Sequence, residues 1–194
     1  MPIILLGIVA VIVIYVITTY NFFASSKARV AAAIQEIGNQ LKRQADLIPN
    51  LEAAAKGYLK HEKDIFKMLT EARKEVDSAV KSGNVEKMAR AGSTVANLVP
   101  QLQIAIEDNP EIKGAEVVRP LMDELRDTAD KVMYSRRLLI DLTADYNVKR
   151  VSVPSSLIAN MFGFTELKGL DLEESESATK VTRDEMKTPK VNLD

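Results

Sequence analysis

The chain has 194 residues, a formal net charge of −1 and no cysteine, so a disulfide framework and thiolate chemistry are excluded. Residues 27–165 are close to neutral and residues 166–194 are net acidic, unlike the clustered basic surface of a nucleic-acid-binding protein. Aromatic residues make up only 5% of the chain, and the abundance of Ala, Leu, Glu, Lys and Val favours helix over sheet.

The N-terminal segment is the strongest signal in the sequence. Residues 1–26 carry no charged side chain, and every residue from Ile3 to Ile17 is apolar or glycine. A helix needs roughly 20 such residues to cross the hydrocarbon core of a bilayer, and the segment reaching Phe23 supplies them. The competing interpretation is a cleaved signal peptide, but a basic n-region and a convincing small-x-small cleavage site are both missing. We therefore predict an uncleaved anchor at residues 1–26, with Tyr20 as an interfacial aromatic residue.

The first amphipathic helix follows the anchor without a linker. Lys and Arg lie only on the C-terminal side of the apolar segment, beginning with Lys27 and Arg29, and the positive-inside rule places that side in the cytoplasm. Helical periodicity resumes at Val30, so the anchor and the first bundle helix are predicted to form one continuous rod. The predicted apolar face is Val30, Ile34, Ile37, Leu41, Ala45 and Ile48.

Three further helices are predicted after Pro49. This proline is expected to cause a turn or kink, because it lacks an N–H and restricts the residue before it. The second helix should run from Leu51 to a C-terminal Gly83, and the third should begin after the N-cap Asn84 and end near Asp108. A fourth helix is predicted from Val118 to Tyr146, after a short link that contains Pro110. The pattern indicates an all-α, antiparallel, up-and-down four-helix bundle at residues 27–150.

The C-terminal part divides into two segments. Residues 151–165 are apolar but too short to cross a bilayer, and two interpretations are open: a cap over the end of the bundle, or a segment at the membrane interface. Residues 166–194 are rich in Glu, Ser, Thr, Lys and Asp and are predicted to be a flexible acidic tail. The candidate membrane-interface residues are Tyr20, Leu157, Ile158, Met161, Phe162 and Phe164.

Polar residues surround Pro49, and they allow two interpretations. In the first, Asp46 and Asn50 cap helix ends while the basic pair Lys42 and Arg43 offsets the helix dipole. In the second, Lys42, Arg43, Asp46 and Asn50 form a partner-docking corner far from the bilayer.

The sequence offers no catalytic or metal-binding motif. Di-iron bundles use two Glu-x-x-His motifs, whereas this chain has one histidine, His61, preceded at that spacing by Tyr58. A lone histidine does not build the usual zinc site either. Asp123, Asp127 and Asp130 share a helix face, but arginines lie within helical reach, which indicates a solvated charged face. We predict no catalytic residue, no metal and no cofactor.

Several stretches resemble the LemA family closely and in order along the chain. They are Tyr20-Asn21, residues 40–51 (QLKRQADLIPNL), residues 56–62 (KGYLKHE), residues 70–73 (TEAR), residues 109–113 (NPEIK), Tyr146-Asn147, residues 155–164 (SSLIANMFGF) and residues 189–191 (PKV). The resemblance implies a helical bundle behind a single N-terminal membrane helix, with no established enzymatic activity. Some relatives are linked to building magnetosome membranes. Gln44 replaces a usual arginine, Val153 replaces a usual phenylalanine, and residues 139–145 replace a more aromatic and basic stretch.

The expected function is a non-enzymatic, membrane-anchored helical scaffold or adaptor that contacts the lipid bilayer and protein partners, and not nucleic acid. Its role would be to organise a membrane, and assembly into a homo-oligomer is left open. The alternative is a regulatory subunit of a membrane-bound enzyme such as a protease. The expected location is the bacterial inner membrane, with a single pass and the C-terminal domain in the cytoplasm.

Overall fold

The computed structural model describes residues 2–55, 63–108 and 117–170, and all regular elements in those ranges are helical. The helices are α1 (Pro2–Ala55), α2 (Lys63–Ser82), α3 (Val85–Asp108), α4 (Val118–Val151) and α5 (Ser155–Met161). The prediction of an all-α fold is confirmed. His61, the Pro110 link and residues 171–194 of the predicted tail lie outside the described residues.

Helix α1 is a single rod. It runs through 54 residues without a break, which corresponds to about 80 Å. The predicted continuity of anchor and first bundle helix is confirmed, because the helix passes from Phe22 to Val30 without interruption. Among the described residues, α1 is the one helix long and apolar enough to cross a membrane. Most large side chains from Ile3 to Ile17 are exposed, whereas from Phe23 onward every third or fourth residue is buried.

The predicted turn at Pro49 is wrong, because α1 continues through it to Ala55, whereas a kink at this residue stays a prediction. A proline inside a helix costs about 3 kcal/mol through its missing N–H and the clash of its ring. Three large side chains close to Pro49, two before it and one after it, are buried, and burying each contributes about 1.5–3 kcal/mol. Tertiary packing therefore outweighs the cost of the proline. The Asn50 amide also donates a hydrogen bond to the Asp46 carbonyl at 2.9 Å. The buried residues are Leu47, Ile48 and Leu51.

The four long helices form an antiparallel, up-and-down bundle. Neighbours around it are α1–α2, α2–α3, α3–α4 and α4–α1, and α1 packs most extensively on α4. Two contacts show the direction of α4, since Arg43 pairs with Glu124 whereas Phe23 packs on Tyr146. The end of α4 therefore returns to the part of α1 that adjoins the exposed apolar segment.

The turn between α2 and α3 follows the sequence prediction. Gly83 has φ +61°, the left-handed conformation that glycine adopts readily at a helix C-terminus. The Asn84 side chain then accepts a hydrogen bond from the Lys87 N–H at 2.9 Å, as an N-cap residue does. Glu86 lies in the first turn of α3, where a carboxylate suits the helix dipole. A tight, capped turn of this kind brings α2 and α3 side by side.

The middle of the bundle, here called the waist, comprises Leu41, Gln44, Gly92 and Val132. Gly92 permits close packing of α3 on α4, because a Cβ at this position would overlap the Val132 side chain. Gln44 is 0% exposed, and neither polar atom of its amide has a hydrogen-bond partner among the described residues. The sequence placed Ala45 on the buried face instead, but Ala45 is only half-buried. Positions 37, 41, 44 and 48 form the buried stripe because the helix follows an alternating four–three spacing here.

Candidate functional site: the collar at the returning end of the bundle

An aromatic cluster, here called the collar, joins α1 to the returning end of the chain. Tyr20 contacts the rings of Phe162 and Phe164, with centroid distances of 5.0 and 5.5 Å. Phe23 packs edge-to-face on Tyr146 at 5.2 Å and stacks on Phe164 at 4.9 Å. With Phe22, which contacts Phe23, the collar holds six of the ten aromatic residues of the chain. Such pairs each contribute about 0.5–1.5 kcal/mol beyond the area they bury.

The segment after α4 folds back so that Phe164 reaches the collar. Helix α5 buries Ile158 and Ala159, and it is followed by Gly163 at φ +69°. The Phe164 N–H then donates to the Ala159 carbonyl at 2.8 Å, which closes the end of the helix. The left-handed glycine is what turns the chain sharply enough for Phe164 to lie on α1.

Residues Tyr146 and Asn147 fasten the chain beyond the collar. The Tyr146 hydroxyl donates to the Thr165 carbonyl at 2.9 Å. The Asn147 amide donates to the Leu167 carbonyl at 2.8 Å and accepts from the Leu167 N–H at 3.1 Å. Residues 166–170, predicted to begin the flexible tail, therefore pack against the bundle, and Leu170 is buried. This segment is held in place because the Asn147 side chain pairs with both the N–H and the carbonyl of Leu167.

Burial also changes the titration of Tyr146. Desolvation of its phenol raises the pKa above the ordinary value, and the positive charge of Arg150 offsets part of that rise. The phenol therefore keeps its proton, and its role as donor to the Thr165 carbonyl, to a higher pH than an exposed tyrosine does.

Cations surround the rim of the collar. The Lys27 ammonium lies 5.5 Å from the centroid of Phe164, and the Lys149 ammonium lies 5.6 Å from that of Phe22. Arg150 pairs with Glu166 at 3.5 Å. The two lysine distances fit cation–π contacts, which hold both ammonium groups beside the aromatic rings.

The outer side of this segment is an exposed apolar surface, here called the outer patch. Its members are 47–83% exposed: Val151, Val153, Leu157, Met161 and Phe162. Of the six predicted interface residues, Tyr20, Leu157, Met161 and Phe162 are thus exposed, whereas Ile158 is buried and Phe164 is half-buried. Ile158 cannot face a membrane, because it packs inward on the α5 face that holds the segment to the bundle. The buried face supports the interpretation of residues 151–165 as a cap, and the membrane-interface interpretation of the exposed face stays a prediction.

The four polar residues of the predicted corner near Pro49 lie on one continuous helix and not at a junction between two helices. Lys42, Arg43, Asp46 and Asn50 are all exposed, but they lie along an uninterrupted helix. The capping interpretation is wrong for this reason, since there is no helix end at Asp46 or Asn50 to cap. Arg43 instead forms an ion pair with Glu124 of α4. The docking interpretation of the corner stays a prediction.

Other charged groups pair locally on the surface. The Asp123 carboxylate lies 2.9 Å from the Arg126 guanidinium, and Asp127 lies 2.6 Å from the Lys131 ammonium. Within the three described ranges, no group of three or more His, Cys, Asp or Glu side chains is placed to hold a metal ion.

A groove between α3 and α4, at the end opposite the collar, was not foreseen from the sequence. Its volume is about 220 Å³, and it combines apolar walls with charged edges. The lining includes Val99, Ile106, Met122, Gln103, Asp123 and Arg126. Each residue taken alone fits an ordinary amphipathic helix, so the sequence carries no signal for the groove.

A protein-family model for the LemA family matches residues 33–183, which is most of the chain. The chain belongs to the LemA family. The matched region covers the corner near Pro49 and the whole returning segment that builds the collar, so these features lie within the family domain. The LemA resemblance of Tyr146-Asn147 and of residues 155–164 now has a structural counterpart, since these residues fasten the returning chain onto α1 and α4. No curated protein matches the chain.

Proposed function

We propose that this LemA-family chain is a non-enzymatic, membrane-anchored helical scaffold or adaptor of the bacterial inner membrane. The observation that carries the proposal is the continuity of α1, which is both an exposed apolar segment and one of the four bundle helices. A chain built this way has a defined attachment and a defined orientation. Both properties suit a protein that presents a surface to partners at a fixed distance from a bilayer.

The first part of α1 supports a membrane span. Its apolar side chains are exposed along the helix, and burying such surface is favourable by roughly 25 cal/mol per Å². A helix also satisfies its own backbone hydrogen bonds, which hydrocarbon cannot do. A bilayer therefore offers this segment a better environment than water does.

The rest of α1 supports a rigid presentation of the bundle. About 30 Å of the rod fits the hydrocarbon core, which leaves about 50 Å to carry the bundle. No proline or glycine lies between Phe22 and Val30, and α1 stays helical through Ser25 and Ser26, where the Ser25 hydroxyl donates to the Phe22 carbonyl at 3.0 Å. Lys27 and Arg29, just beyond the span, support a cytoplasmic bundle through the positive-inside rule.

Anchoring and orientation are tested with the full chain carrying a C-terminal epitope. We expect it to stay in the membrane fraction after alkaline carbonate extraction, and release into the soluble fraction would refute the anchor. In inside-out vesicles, added protease should remove the epitope. Removal in right-side-out vesicles only would reverse the proposed orientation.

The scaffold role is tested by extracting the full chain in native lipid nanodiscs and identifying what accompanies it. We expect assemblies that contain this chain with non-enzymatic partners. A membrane enzyme such as a protease, recovered in equal amounts, would instead support the regulatory-subunit alternative.

The same extraction tests the corner near Pro49 as a docking surface. Joint replacement of Lys42 and Asp46 by alanine should reduce partner recovery without lowering the melting temperature. Joint replacement of Lys67 and Glu71, an exposed pair of α2 with the same spacing, serves as the control and should leave recovery unchanged. Equal recovery from both variants would remove the corner from the proposal.

A further inference from the structure

The outer patch has three properties that an ordinary solvent-facing surface lacks. Residues 151–165 contain no ionic side chain at all. The two charged residues that flank this segment, Arg150 and Glu166, form an ion pair at 3.5 Å. The two ends of the uncharged segment therefore lie close together. Two members of the patch, Leu157 and Met161, are exposed on a short helix whose other face is buried, so their direction is fixed by the fold.

The aromatic contacts of the collar fix the position of the outer patch along the axis of α1. Exposed apolar residues from Ile3 to Ile17 extend over about 22 Å, which is about 8 Å short of a hydrocarbon core of about 30 Å. The missing distance corresponds to the next five residues of α1, which include Tyr20. Phe162 and Phe164 contact the Tyr20 ring, so α5 lies at the level where the hydrocarbon would end.

We propose that α5 and the residues before it form an interfacial foot, which inserts the outer patch into the boundary between lipid headgroups and acyl chains. The inference rests on the proposed anchoring of α1 in the same bilayer. Short amphipathic segments bind this boundary through an apolar face that enters the acyl region. The foot adds apolar surface at the level of α1 where the exposed apolar stretch from Ile3 to Ile17 gives way to Tyr20, and it gives the domain a second point of contact with the membrane.

The charges around the foot match a lipid surface. Lys27 and Lys149 hold their ammonium groups beside the collar rings, on the side of the bundle that faces the proposed interface. Aromatic rings next to cations are typical of the headgroup level, where the ring enters the apolar region and the cation meets phosphate. We therefore expect the foot to bind more tightly to bilayers that contain anionic phospholipid.

Tryptophan fluorescence can test the foot in the full chain, because the natural sequence has no tryptophan. Three single variants are placed in phospholipid vesicles that contain lipids brominated near the headgroup or near the bilayer centre. Leu157→Trp reports on the foot, and Ile14→Trp reports on the middle of the proposed span. Val117→Trp is the matched control, since Val117 is 64% exposed against 69% for Leu157 but lies at the opposite end of α4.

The expected result has a distinct pattern for each variant. The emission of Leu157→Trp should shift to shorter wavelength, and it should be quenched mainly by the lipid brominated near the headgroup. Its quenched fraction with that lipid should be at least half the quenched fraction of Ile14→Trp with the lipid brominated near the bilayer centre. Ile14→Trp should respond mainly to the deep bromolipid, and Val117→Trp to neither. Vesicles with anionic phospholipid should increase the quenching of Leu157→Trp and leave that of Ile14→Trp unchanged.

Failure of the foot and failure of the anchor give different results. Quenching of Ile14→Trp without quenching of Leu157→Trp would refute the foot and leave the anchor intact. A blue shift of Leu157→Trp without quenching would also refute it, since a protein would then cover the patch. Equal quenching of Val117→Trp would mean that the whole bundle lies on the surface, which contradicts an upright foot. An unquenched Ile14→Trp would refute the anchor itself.

Discussion

The collar and the waist both join α1 to the helices around it, but they do so by different means. The collar uses aromatic rings and side-chain hydrogen bonds to the backbone of a returning segment. The waist uses close aliphatic packing around Gly92 and encloses an amide without a partner. The collar therefore fixes one conformation through many directional contacts. The waist is stabilised by the close packing of α3 on α4, and the buried amide of Gln44 reduces that stability.

The largest expected effect is loss of the ring at the centre of the collar. Phe23 is fully buried and contacts three other rings, so Phe23→Ala should lower the free energy of unfolding by about 3–5 kcal/mol. Thermal unfolding in detergent, followed by circular dichroism, measures this. Phe162→Ala is the control, because a half-exposed ring leaves no closed cavity. Similar losses for the two variants would mean that the collar does not act as a packed core.

The waist should respond most to a change in its closest contact. Gly92→Ala places a methyl group on Val132 and should lower the free energy of unfolding by about 1–3 kcal/mol. Gly38→Ala is the matched control, since its new Cβ would lie an ordinary 3.8 Å from the Met88 sulfur and helix propensity favours alanine. If Gly92→Ala is as stable as Gly38→Ala in thermal unfolding, the close packing of α3 on α4 is not needed.

A third change should strengthen the waist. Gln44→Leu removes a buried amide that has no partner among the described residues, and such a group costs about 1–3 kcal/mol. We expect a higher melting temperature, with a gain of roughly 1–2 kcal/mol after imperfect packing of the new side chain. Gln35→Leu, on the exposed side of α1, should change stability by less than about 0.5 kcal/mol. A destabilised Gln44→Leu would show that the amide is satisfied.

A smaller effect is expected at the hydrogen bond that fastens the collar. Tyr146→Phe should lower the free energy of unfolding by about 0.5–1.5 kcal/mol, because the Thr165 carbonyl loses its donor. The raised pKa of Tyr146 adds a pH dependence, since the folded state holds the phenolic proton more tightly than the unfolded chain. Its stabilising contribution is complete below the unfolded pKa of 10.0 and is lost as the pH rises through the folded pKa. The difference in melting temperature between the wild type and Tyr146→Phe should therefore be smaller at alkaline pH than at neutral pH.

The smallest effect belongs to the surface ion pair of Arg43 and Glu124, which lies beside the waist. Arg43 and Glu124 are both partly exposed, so a double-mutant cycle with alanine at each should give a coupling of about 0.2–1 kcal/mol. The coupling should decrease in high salt, because exposed charges are screened. A larger, salt-independent coupling would mean that this pair helps to set the position of α1 on α4.

Much of the architecture could be predicted from periodicity and end signals. Gly83 and Asn84 mark the α2–α3 turn, and the apolar spacing of α3 and α4 identifies buried residues such as Leu102 and Leu125. Pro49 was misjudged because a local rule about proline cannot include the burial of Ile48 and Leu51 against other helices. Gln44 was missed because its polarity argued against the position that helical spacing assigns to it.

The sequence by itself determined the long apolar segment, the helical class, the helix order and the family, since composition, periodicity and motif order depend on neighbours along the chain. Only the tertiary structure decided which residues of the 151–165 segment face inward, because that depends on α4 returning to Tyr20 and Phe23 across more than a hundred residues. The same return places Leu157 and Met161 outward and Ile158 inward on one seven-residue helix. The separation of these residues along the chain does not predict which of them face inward. The packing of α4 on α1 determines it.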